Sequence, residues 1–162
     1  MDFGIANLLA MRLFPFNKKE LLQEAEKNRL VQAIRSAERL TSGEIRLFVE
    51  SRCAYVDPMD RAQEIFLSLG MEKTRQRNGV LLYIALKDHQ FAILGDQGIH
   101  EKVGNTFWQK EALLLKQHFT QSRVVEGMET CIKEIGESLQ LHFPYSSGED
   151  ENELPDDIIL GK

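Results

Sequence analysis

The stretch Gly79-Val80-Leu81-Leu82-Tyr83-Ile84-Ala85-Leu86 constrains the fold more than any other part of the chain. It is apolar without a break and has the length of one strand. Alternation would mark a strand with one wet face. An unbroken run marks a central strand covered on both faces. A chain that contains such a strand has to supply helices above and below it.

The flanking sequence does supply them. Asn17-Lys18-Lys19-Glu20 has the pattern of a capping box, and the helix it predicts runs to about Leu40 with Leu30, Ile34 and Ala37 on one face. Thr41-Ser42-Gly43 ends it. In Glu44–Ser51 the period changes to two: Ile45, Leu47 and Val49 alternate with Arg46, Phe48 and Glu50. Asp57-Pro58 opens a second helix, with Asp as N-cap and Pro at the first helical position. Ala62, Ile65, Phe66 and Leu69 form its stripe, and Gly70 stops it. Lys73, Arg75 and Arg77 then make a basic linker into the central strand.

After that strand, Lys87-Asp88-His89-Gln90 reads as a hairpin turn, Phe91–Leu94 as the returning strand, and Gly95-Asp96-Gln97-Gly98 as its end. A short turn holds Ile99 and Val103. Asn105 caps a helix with Trp108, Ala112, Leu115 and Phe119 in line. The last helix carries Val125, Met128, Ile132, Ile135 and Leu139 and ends at Pro144. The order α-β-α-β-β-α-α, with a right-handed parallel crossover between the first two strands, predicts an α/β fold. The expected form is a three-layer α/β/α sandwich with a small mixed sheet. Residues 17–143 form its body, 1–16 an N-terminal segment, and 144–162 an acidic tail.

Charge narrows the function. The chain of 162 residues has a formal net charge of -5, all of it in the tail: Glu149, Asp150, Glu151, Glu153, Asp156 and Asp157 against Lys162. The body is neutral, which argues against a nucleic-acid partner. No apolar run is long enough for a transmembrane segment. The first residues start with an acid and lack a signal-peptide cleavage pattern, so a cytoplasmic location is expected. Cys53 and Cys131 have no zinc or CxxC spacing and fit reduced thiols. The tail has no periodicity and is expected to be disordered until a protein partner binds it. Its Ile158-Ile159-Leu160 end and the apolar N-terminal segment are the candidate docking patches.

Topology sorts the polar loop residues into two groups. The edge where the two parallel strands begin collects Thr41, Ser42, Glu44, Asn78, Asp96, Gln97, His100 and Glu101. Carboxylates with carbonyls and a hydroxyl suit a hard cation, Ca²⁺ or Mg²⁺. Glu44, Asp96 and Glu101 are the first-choice ligands. The opposite edge, where α/β sheets usually bind ligands, offers Asp57 and Asp88 as the second choice. There is no P-loop, no G-x-S-x-G elbow, and no catalytic cysteine followed by a Gly/Arg-rich loop.

The stretches SGEIRLFVES and DRAQEIFLSLGMEKTRQRNGVLLYIALKDHQFAILGDQGIHEKV resemble the TPM domain family, found in thylakoid-lumen proteins and in many bacterial proteins. The most specific part is N-G-V-L-L-Y-I-A-L-x-D followed by an apolar strand and G-x-x-G-[IL]. The resemblance spans about Glu20 to Phe143. It implies an α/β/α sandwich, an acid-phosphatase activity as in plant members, and divalent-cation binding as in some bacterial members. The glycine loop departs from the G-Y-G-L-E-G form of many members. Two functions are therefore expected to compete: a divalent-cation-binding interaction and stability module, and a weak metal-dependent phosphatase.

Overall fold

The computed structural model describes residues 21–145 and 158–161. Helix α1 spans Glu24–Glu38 and buries Leu30, Ile34 and Ala37. Its entry differs from the expected one. The Gln23 N–H donates to Glu26 Oε1 at 2.8 Å, so the reciprocal bond of a capping box falls here, while Asn17–Glu20 lie outside the described residues. Strand β1 is Glu44–Glu50 and helix α2 is Pro58–Ser68. Asp57 caps α2 by accepting the Met59 N–H at 2.9 Å. A single 3₁₀ turn, Met71–Lys73, leads toward β2, Gly79–Ala85. Strand β3 is Gln90–Gly95, and helix α3 is Gln97–Thr120. The expected break between Val103 and Asn105 is present: Gly104 has φ 72° and ψ 177° inside α3. Helix α4, Val124–His142, buries Val125, Met128, Ile132, Ile135 and Leu139 as its period predicts.

The sheet has the order β3-β2-β1-β4, where β4 is Ile158–Leu160. β1 runs parallel to β2 over all seven residues, from Glu44 opposite Gly79 to Glu50 opposite Ala85. β2 and β3 form the antiparallel hairpin. One face packs Ile45, Leu47, Val49, Val80, Leu82 and Ile84 against apolar residues of α1, α3 and α4. The other packs Phe48, Leu81, Tyr83, Ala85 and Ala92 against Ala62, Ile65 and Phe66 of α2. The molecule is the expected α/β/α sandwich, with, among the described residues, three helices on one face and one on the other.

Two points extend or correct the sequence reading. First, the mixed face of β1 is covered as well: Glu44, Arg46 and Glu50 are 3%, 4% and 6% exposed. Second, the tail is not structureless to its end. Ile158–Leu160 pairs in parallel with Leu47–Val49 and is buried, because its side chains alternate between both apolar faces of the sheet. The six tail acids lie outside the described residues.

Ile84 lies fully buried on a strand with neighbours on both sides. Ile84→Val, which removes one methylene there, is expected to cost about 1 kcal/mol in denaturant unfolding. An unchanged midpoint would mean that the site collapses around the missing group.

Candidate functional site

At the edge where β1 and β2 begin, the chain folds its polar residues onto one another. The hairpin register sets Val80 opposite Gly95, so residues just before β2 lie beside residues just after β3. Arg77 therefore meets Asp96. Its Nε donates to Asp96 Oδ2 at 2.7 Å and its Nη2 to Oδ1 at 2.8 Å, a two-toothed pair. Asp96 Oδ1 also accepts the Gln97 N–H at 2.8 Å, capping α3. Both oxygens are thus engaged, and the side chain is only 6% exposed.

Of the other predicted ligands, one is buried and one is exposed. Glu44 is buried at the start of β1, where its N–H donates to the Asn78 carbonyl at 3.3 Å. Glu101 is exposed and accepts from Gln97 Nε2 at 3.0 Å. Among the described residues no three His, Cys, Asp or Glu side chains gather where a metal ion would sit.

The remaining polar groups of this edge are structural ties. Ser42 Oγ accepts from Gln76 Nε2 at 3.1 Å and from Asn78 Nδ2 at 3.2 Å. Thr41 Oγ1 donates to the Leu139 carbonyl at 3.0 Å, joining the turn before β1 to the end of α4. Trp108 Nε1–H donates to His100 Nδ1 at 3.1 Å, which leaves the imidazole proton on Nε2 in the neutral ring.

The opposite edge is also closed. Asp57 is spent on its cap. Asp88 accepts the Cys53 N–H at 2.7 Å and Arg52 Nη1 at 2.9 Å, tying the loop after β1 to the hairpin turn. Between them lies a buried group that the alternation did not reveal. Arg61 Nε and Nη2 donate to the two oxygens of Glu50 at 3.0 and 3.1 Å. The Tyr83 hydroxyl donates to Glu50 as well. The Arg61 guanidinium also stands 5.6 Å from the centre of the Phe48 ring. Burial, and then the bond to Glu50, push the Tyr83 phenol far above its ordinary range. Its proton is pinned, so the group is poorly suited to proton transfer at neutral pH. The spacing from Glu50 to Arg61, the last strand residue to the first turn of the next helix, is the only sequence signal for it.

The comparisons with known proteins concern the family and the fold. The family model described as TPM domain matches residues 16–138. The solution structure of the BA42 protein from the psychrophilic bacterium Bizionia argentinensis is 38% identical, with a TM-score of 0.80, over 88% of this chain and 97% of that one. The N-terminal domain of a protein from P. gingivalis is 17% identical with a TM-score of 0.62, covering 78% of this chain and 83% of that one. The N-terminal domain of the cg2496 protein from Corynebacterium glutamicum is 14% identical with a TM-score of 0.55, covering 74% of each chain. These last two likenesses concern the fold alone. No curated protein matches the chain.

Proposed function

This chain belongs to the TPM domain family, and from that premise we propose that it acts as an interaction module and not as a phosphoester hydrolase. The observation that carries this reading is the state of Asp96. A metal-dependent hydrolase needs carboxylates open to an ion that polarises the phosphoryl oxygen and activates water. Here the best-placed carboxylate is closed by Arg77 and by the helix cap. A cation at Asp96 has to displace the guanidinium. Among the described residues no helix is long and apolar enough to cross a membrane. The free thiols of Cys53 and Cys131 are consistent with a reducing compartment, which supports a cytoplasmic module.

The test is phosphoester turnover and thermal stability on the same samples, with and without millimolar Ca²⁺ or Mg²⁺. Turnover on p-nitrophenyl phosphate is expected to stay at the blank rate in wild type and in Asp96→Asn. Metal is expected to leave the wild-type Tm unchanged. A metal-dependent rate that Asp96→Asn removes would establish the hydrolase instead. A rise in Tm of roughly 5–10 °C that Asp96→Asn removes would establish the cation site.

A further inference from the structure

We propose that the outer edge of β1 is a strand-addition slot for an extended segment of another protein, with three apolar residues followed by glycine. The chain's own Ile158–Gly161 fills the slot in the free molecule. This deepens the interaction reading and rests on it, since it names how the module takes its partner. β1 pairs with β2 along its full length but with β4 only from Leu47 to Val49. The outer rung is therefore the short one, and a short edge strand opens at lower cost than a central one.

The slot is selective by shape. Ile158 and Leu160 enter the core beneath α1, α3 and α4, while Ile159 enters the core on the α2 face. The Gly161 N–H donates to the Val49 carbonyl at 2.6 Å. A Cβ at this position would stand 2.6 Å from Glu50 Cβ and 2.9 Å from Phe48 Cε1. The fourth position thus requires glycine. The register is fixed from the other end, because the Ile45 N–H donates to Glu38 Oε2 at 2.7 Å and that stretch of the edge is taken. Backbone pairing with pockets for alternate side chains is the general mode of strand addition. The resident segment belongs to the same chain and so stands at high local concentration, and an incoming strand has to compete with it.

The experiment uses the full chain and a labelled peptide of residues 156–162. Wild type with its tail docked nine-tenths of the time or more is expected to bind the peptide at least about tenfold more weakly than the Gly161→Val chain, whose own tail no longer fits. The same peptide with its glycine replaced by valine is expected to lose binding to both. Equal binding by the two chains, or equal binding of the two peptides, would overturn the proposal. If the Gly161→Val chain fails to fold, amide exchange on wild type decides. A Gly161 amide that exchanges faster than those of Leu82 and Ile84 supports a slot that opens, and exchange only with global unfolding overturns it. Wild-type dimers abolished by Gly161→Val would put a second copy's tail in the slot and overturn the assignment to a separate partner. Phosphoester turnover on these samples tests the module reading by itself, so the two can fail separately.

Discussion

Replacing Glu111 by glutamine is expected to remove about 3 kcal/mol of pH dependence from folding between about pH 4.5 and pH 8. Glu111 lies in the packed interface of α3 and α4 with no exposed surface. Cys131 and Glu134 face it from α4, and Lys110 precedes it on α3. Burial first, and the Glu134 charge second, push its carboxyl up to about 7 from an ordinary 4.5, against a smaller opposing effect of Lys110. The folded chain holds this proton at pH values where the unfolded chain has released it. The stabilisation is therefore fully present below the unfolded value and is lost as pH rises toward 7. Glutamine keeps the shape and carries no titratable proton. The variant is expected to match wild type in mild acid and to exceed it at pH 8, as read from denaturant unfolding at each pH. Parallel profiles for the two proteins would mean that Glu111 is already ionised in the fold.

Gly98→Ala is expected to cost about 3 kcal/mol, by overpacking a place where only backbone can give way. The Gly98 N–H donates to the Arg77 carbonyl at 2.8 Å, which draws the loop before β2 tightly against the first turn of α3. A Cβ at residue 98 would stand 2.0 Å from the Gln76 carbonyl oxygen and 2.7 Å from that of Arg77. Arg77 itself has φ 52°, a conformation held by this contact and by its pair with Asp96. Gly104→Ala isolates backbone strain: a Cβ there meets nothing within 4 Å, but φ 72° with ψ 177° is a region open to little besides glycine, so about 1–3 kcal/mol is expected without any crowding. A Gly98→Ala chain as stable as wild type would mean that the backbone at Gln76 and Arg77 gives way at no cost. The Gly98 variant should also weaken the Arg77–Asp96 pair, because the loop that aims the guanidinium has to shift.

What was legible in the sequence was what repeats. The unbroken run at Gly79–Leu86 became the interior strand, the alternation at Glu44–Glu50 became β1, and the stripe from Val125 to Leu139 became the buried face of α4. Asp57 with Pro58 marked a helix start that the structure contains, and the reading of Asn105 as the start of a new helix marked the break that the structure places at Gly104. These signals are local: burial periodicity and backbone permission act over a few residues, so a window of sequence carries them.

The candidate site was legible only as a grouping. Topology sent Glu44, Asp96 and Glu101 to one sheet edge, but it did not say which atom would face which. Arg77 read as part of a solvated basic linker, and the hairpin register made it the partner of Asp96. Glu50 read only as part of the mixed face of β1, and α2 brought Arg61 over it. Glu111 interrupts the stripe of Trp108, Ala112 and Leu115, and the packing of α4 buried it all the same. Ile158–Leu160 had no period at all and found its place only because β1 had an unpaired edge with two apolar faces beside it. The sequence by itself determined the elements and the layers, since each depends on neighbours along the chain. The tertiary structure alone decided which charges pair and where the tail docks, since those depend on distances between segments far apart in sequence.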